Sequence, residues 1–274
     1  MAELTVTLDG RTLHAYDTGT EGFPVFWHHG TPNTGAPPEP LFADAARLGL
    51  RWVSYDRPGY GGSTRVPGRD LASAARDVAA VADALGLDRF AVVGHSGGAP
   101  HALACAALLP DRVSAVVAAA GMAPFDAAGL DWFAGMAASG VESLRAAAAG
   151  RAEKEAYEAS GVEYDPEFTE ADLAALDGDW SWFDQVVGAA LAGGPGGLVD
   201  DDLAYVSPWG FDLAALTVPA LFLHGERDRV LPAAHSKWIS SRYPAELRLF
   251  PDDGHISVLR HMPPALAWLA DFRR

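Results

Sequence analysis

The chain has 274 residues, 49% of them hydrophobic and 20% charged, a balance that excludes a disordered or fibrous polymer and allows one large unit with a sizeable core. A formal net charge of −16 argues against nucleic acid and anionic membrane surfaces as partners. The single cysteine, Cys105, permits neither an internal disulfide nor a multi-cysteine metal site.

In chain order, the opening MAELTVTLDGRTLHAYD alternates apolar and polar residues on either side of Asp9-Gly10, the pattern of a β-hairpin. The same amino terminus has no basic region followed by an apolar core, and no run approaches the roughly 20 apolar residues of a membrane span, so a cytoplasmic location is expected. Then come PVFWHHG, RWVSYD, RFAVVG and VSAVVAAAG, short and almost continuously apolar. Strands buried on both faces read this way, which points to a parallel sheet covered by helices. EPLFADAARLG and DLASAARDVAAVADALG supply helical spacing between them, with Asp70 placed as an N-cap and Gly86 as a stop. Cys105 lies in the apolar helical stretch HALACAALL, where a buried inert thiol is expected.

After Gly121 the rhythm breaks. From 124 to 209 the chain is helical and acidic, passes through RAEKEAYEASGVEYDPEFTEADLAALDGDW and ends near a flexible-looking GGPGGLVDDD, its carboxylates reading as a solvated face. The rhythm returns with VPALFLHG, a helix around AAHSKWISSRY, the strand ELRLF and the helix PPALAWLADF. Residues 1–123 and 210–274 are therefore expected to form one doubly wound α/β core, with 124–209 inserted between its halves.

Gly94-His95-Ser96-Gly97-Gly98 sits between the strand RFAVV and the helix APHALACAALL. The spacing Gly-x-Ser-x-Gly is common in a chain with 29 glycines, but the strand–turn–helix context is what a nucleophile elbow requires. A nucleophilic serine also needs a base, a group to orient it, and donors for an oxyanion. His255, in a turn just beyond the strand ELRLF, is best located of the nine histidines to be the base. His14 falls in the hairpin, His224 ends a strand, His235 and His261 fall on helix surfaces, and His101 is packed one turn into the helix after the elbow. The orienting carboxylate is expected after VPALFLHG, at Asp228, with Glu226 as a weaker contender. Thr31, ahead of Pro32, and Gly97 are the natural backbone donors to an oxyanion. This chemistry calls for no metal and no organic cofactor.

With HHGTP (28–32), YDRPGYGGS (55–63), GHSGG (94–98), HGERDRVLP (224–232) and GHISVL (254–259) in this order, the sequence resembles the α/β-hydrolase superfamily. The resemblance implies a mostly parallel eight-stranded sheet flanked by helices, with 124–209 as a helical cap inserted after strand six. It keeps a second location open for the acid, Asp126. Haloalkane dehalogenases and epoxide hydrolases usually carry aspartate at the elbow, where this chain has Ser96. Proline iminopeptidases tend to show HGGPG and GGSWG, which HGTPN and GHSGG match poorly. The expected function is hydrolysis of a carboxylic ester, of esterase or lactonase type, on a small molecule with an apolar acyl group. An aminopeptidase or amidase, and a non-hydrolytic catalyst or receptor on the same fold, stand as alternatives. Within the cap, Trp132, Phe133, Trp182 and Phe183 are the candidates to line an apolar pocket.

Overall fold

The computed structural model describes residues 1–19 and 21–273. Asp9 and Gly10 take φ values of 51° and 77°, the left-handed geometry a two-residue hairpin loop needs, and join β1 (Ala2–Leu8) to β2 (Arg11–Asp17) with Leu8 opposite Arg11. The apolar runs become β3 (Phe23–His28), β4 (Leu50–Tyr55), β5 (Phe90–His95) and β6 (Val113–Ala119), with α1 (Phe42–Arg47), α2 (Ser73–Ala84) and α3 (Gly98–Leu108) between them. Five helices then intervene: α4 (Ala138–Ala149), α5 (Arg151–Ala159), α6 (Glu170–Asp177), α7 (Phe183–Leu191) and α8 (Gly196–Tyr205). The core resumes with β7 (Ala220–Gly225), α9 (Ala234–Ser240), β8 (Glu246–Phe250) and α10 (Met262–Ala270).

The eight strands form one sheet in the order β1-β2-β4-β3-β5-β6-β7-β8, antiparallel at β1–β2 and β2–β4 and parallel from β4 to β8. Successive residues of β3 serve opposite faces. Phe26 belongs to the apolar cluster that includes Val78 and Val81 of α2 and Leu103 of α3, while Val25 and Trp27 belong to a second cluster that includes Leu266 and Leu269 of α10. The central strands β5, β6 and β7 are buried along their whole length; β8, at the sheet edge, is only half-buried.

Local signals differ from the outcome in two places. Asp70 Oδ1 accepts from Ser73 N at 2.9 Å, so it caps the turn leading into α2 and not the helix itself; Gly86, with φ 66°, ends that helix as its type suggests. GGPGGLVDDD runs into α8 and is not a flexible tether, and Asp200, Asp201 and Asp202 are all buried. Their cationic partners come from far along the chain: Arg65 and Arg151 reach Asp200, Arg57 and Arg69 reach Asp201, and Lys154 reaches Asp202. Charges are buried when paired, and here the pairing is tertiary.

Several histidines are buried and neutral. Burial and the nearby Arg57 charge push His28 from 6.5 down to about 3. Burial and His255 do the same for His95, also to about 3. His235 falls to about 4 through burial and His224; it is no surface residue, since its Nδ1 accepts from Ala123 N and its ring meets Trp132 edge-on. The unfolded chain takes up protons on these groups near 6.5, whereas the folded chain does so only near 3 to 4, so stability rises with pH across that window. Melting temperature is therefore expected to fall steadily between about pH 6.5 and pH 4. A melting temperature that stays flat over that range in a buffer series would contradict the neutral assignment.

Candidate active site

The elbow is strained and only glycines fit around it. Ser96 has φ 55°, a left-handed conformation costly for a side-chain-bearing residue, and it turns the chain from β5 into α3. A Cβ on Gly94 would stand 2.4 Å from the Gly98 carbonyl oxygen, and one on Gly98 would stand 1.9 Å from that of His28. The backbone is pinned by Ser96 N donating to Ala119 O at 2.9 Å and Ala99 N donating to Ser96 O at 3.0 Å.

Ser96, His255 and Asp228 meet in one hydrogen-bonded chain. Ser96 Oγ lies 2.8 Å from His255 Nε2, and His255 Nδ1 lies 2.8 Å from Asp228 Oδ2. Asp228 Oδ1 accepts from the N–H groups of Val230 and Leu231, at 2.8 and 2.9 Å. Burial alone would raise this carboxyl, but the interactions with His255 and His224 outweigh it and hold Asp228 well below the usual carboxylate range. Glu226 instead forms an exposed pair with Lys237, and Asp126 has no bond to His255.

Two groups outside this chain hold His255 in place, and the sequence reading missed both. His95, the variable residue of the elbow, has its Nε2 3.0 Å from the His255 carbonyl oxygen, where the neutral ring donates. Asp172 of α6 accepts from Ile256 N and Ser257 N at 2.8 Å each and from Ser257 Oγ at 2.9 Å. The same carboxylate forms a capping box with Thr169, accepting from its N–H and hydroxyl at 3.0 and 2.8 Å. Burial would raise Asp172, but these donors prevail and its carboxyl is lowered. The spacing Thr-x-x-Asp signals the cap; nothing local signals the turn at 256–257. Asp172→Ala removes the oxygen that accepts from Ile256 N, Ser257 N and Ser257 Oγ, so kcat on an ester is expected to drop about tenfold with KM little changed. An unchanged kcat would remove Asp172 from the positioning of His255.

Thr31 and Gly97 face each other beside Ser96. A Cβ on Gly97 would come 2.7 Å from Thr31 Oγ1 and 2.2 Å from the Tyr205 hydroxyl, so glycine alone fits. Among the described residues neither the Thr31 nor the Gly97 N–H donates to another group. Behind them lies a buried polar network centred on Asp201 of α8. Its Oδ2 accepts from Arg57 Nη2 at 2.7 Å, Tyr60 OH at 2.8 Å and Thr31 Oγ1 at 2.6 Å, and its Oδ1 pairs with Arg69. Arg57 also donates to the carbonyls of His29 and Gly30, which fixes the loop carrying Thr31. Burial opposes ionisation of Asp201, yet the two guanidiniums prevail and hold it well below the ordinary carboxylate range.

Above Ser96 opens a cavity of about 440 Å³ whose wall includes His95, His255, Tyr164, Phe168, Leu176 and Phe183. Of the four aromatic residues expected to line a pocket, Phe183 is in this wall. Trp132 is buried in the core, with Nε1 donating to Ala123 O at 2.8 Å. Phe133 stacks edge-on with Trp132 and lies under the Arg145 guanidinium. Trp182 is buried among Trp27, Trp180 and Phe183. These three correct the expectation: their large surfaces pack the helical segment onto the core. Tyr164 and Phe168 lie in the non-helical stretch between α5 and α6, where no periodicity reveals an inward face. No helix among the described residues is long and apolar enough to cross a membrane.

Comparison with known proteins gives one consistent family. A family model described as alpha/beta hydrolase fold matches residues 24–261. A non-heme chloroperoxidase of Streptomyces lividans is 31% identical over 236 residues, 83% of each chain. A bifunctional esterase/perhydrolase of Acinetobacter calcoaceticus is 39% identical over 94 residues, 34% of each chain. Among solved structures, a thermophilic esterase from Thermogutta terrifontis superposes with a TM-score of 0.72 at 23% identity, covering 100% of both chains.

Proposed function

The chain belongs to the alpha/beta hydrolase fold family, and on that premise we propose that it is a serine hydrolase of carboxylic esters, lactones included, acting through an acyl-enzyme on Ser96. The observation that carries this reading is the unbroken chain from Ser96 Oγ to His255 to Asp228, 2.8 Å at each step, at the floor of the cavity. His255 takes the Ser96 proton as Oγ attacks the carbonyl carbon, and Asp228 stabilises the resulting imidazolium. The oxyanion is held by the N–H groups of Thr31 and Gly97, the latter at the amino end of α3. The adduct collapses, His255 returns the proton to the leaving oxygen, and water then releases the acid by the same steps in reverse order. The segment 124–209 serves in this reading as a cap that closes the site against bulk water.

The test is turnover of short p-nitrophenyl esters together with labelling by a fluorophosphonate. Ester hydrolysis and stoichiometric modification at Ser96 are expected; a protein that does neither is not a serine hydrolase. The likeness to a non-heme chloroperoxidase favours one second reading, in which hydrogen peroxide replaces water in the deacylation step and the product is a peracid. Halide oxidation that needs both peroxide and a short carboxylate, and that disappears on labelling Ser96, is its signature.

A further inference from the structure

A second cavity, of about 360 Å³, meets the first at Ser96. The two share Thr31, Pro32, Ser96, Tyr164, Val187 and Val230, so both border the nucleophile. The rest of their walls differs. His255, with its neighbours His95 and Ile256, is in the wall of the first chamber only. Gly97, Met122, Leu144, Leu198 and Tyr205 are in the wall of the second only.

The chemistry of acyl transfer distinguishes the two spaces. When the tetrahedral adduct collapses, the carbon–oxygen bond to the alcohol breaks and that oxygen takes its proton from His255 Nε2. The leaving alcohol must therefore lie on the side of the nucleophile where His255 is exposed. The oxyanion points to the N–H groups of Thr31 and Gly97, and Ser96 Oγ occupies a third bond of the carbon. One direction is left for the acyl chain, past Gly97. Resting on the ester-hydrolase reading, we infer that the first chamber takes the alcohol limb and that the second takes the acyl limb. The substrate is thus an ester with two sizeable limbs, one on each side of the carbonyl.

Charge in the wall of the second chamber narrows the acyl group further. Glu158 and Asp202 both lie in its wall and both bind the buried ammonium of Lys154, at 2.6 Å each. Two carboxylates thus share one cation, and the wall also includes the apolar side chains of Met122, Leu144 and Leu231. An uncharged, medium-sized apolar acyl group fits this chamber, and one ending in a carboxylate does not.

The experiment uses two substrate series on the purified full chain: p-nitrophenyl esters of lengthening acyl chain, and acetate esters of lengthening alcohol followed by acid release. Each variant is scored by its own ratio of long to short substrate, which a partly misfolded fraction leaves unaltered. Leu198→Trp, which fills the second chamber, is expected to lower the octanoate-to-acetate ratio about tenfold or more and to leave the octyl-to-ethyl acetate ratio alone. Leu144→Phe is a second variant with the same expected direction. Leu176→Trp, in the first chamber, is expected to do the converse. For the wild type, the p-nitrophenyl half-ester of glutarate is expected to be about tenfold worse than the pentanoate. Exchange of the two effects, an equal effect of each variant on both series, or equal turnover of glutarate and pentanoate overturns the assignment while leaving ester hydrolysis intact. Absence of turnover in both series, with Ser96 unlabelled, overturns the hydrolase reading itself and this assignment with it.

Discussion

Ser96→Ala lowers kcat on a p-nitrophenyl ester by about 10⁴-fold or more while leaving the melting temperature within a degree or so of the parent. The size of the loss follows from what the hydroxyl does: with Oγ gone there is no atom to form the acyl-enzyme, and only oxyanion stabilisation and substrate binding remain. The stability half follows from the local geometry. Alanine keeps the Cβ and so keeps the strain at φ 55°, and the one side-chain bond removed is that to His255 at 2.8 Å. Double replacement of Ser96 and His255 should cost little more than either alone, because the two act as one unit. Retention of a tenth or more of the parental rate would sink the nucleophile assignment. Rates and thermal melts on the same preparations decide it.

Asp201→Asn has the largest expected effect on stability. Asp201 is fully buried and pairs with Arg57 and Arg69, both also buried. Removing its charge strands two guanidiniums with no counter-ion, a defect of about 3–5 kcal/mol. For a chain of this size that corresponds to a fall in melting temperature of roughly 10 °C. Activity of the remaining folded protein should fall as well, because Arg57 and the Thr31 hydroxyl lose their common anchor and the loop carrying Thr31 beside Ser96 loosens. Denaturant unfolding measures the first effect and kcat at saturating substrate the second. A loss below about 1 kcal/mol would mean that the network is dispensable to the fold.

Much of the fold and part of the site were legible in the residues in order. Asp9-Gly10 between alternating runs specifies its hairpin because the turn needs two left-handed residues and nothing distant. The buried central strands announce themselves because a strand covered on both faces has no polar face to show. The elbow is legible through its spacing between a strand and a helix: Gly94 leaves no room for a side chain against Gly98 within the turn itself, whereas the His28 carbonyl that excludes one at Gly98 comes from β3. The order of Ser96, Asp228 and His255 could be read as well, since each follows a recognisable strand.

Other features had no local trace. Asp172, Asp200, Asp201 and Asp202 read as a solvated acidic face, yet all four are buried. A carboxylate's environment is set by what folds against it. The partners of Asp201 lie 144 and 132 residues away, and those of Asp172 at 256 and 257 lie 84 and 85 residues away. The aromatic residues of the helical segment divide in the same way: Trp132, Phe133 and Trp182 pack inward and Phe183 meets the cavity, although all four look alike in composition. The sequence by itself determined the strands, the turns and the strained serine, because short-range sterics and periodicity suffice for them. Which charges are buried, which groups hold His255, and where two chambers meet at Ser96 were decided only by tertiary structure, because burial and ion pairing depend on contacts between segments that the chain order keeps apart.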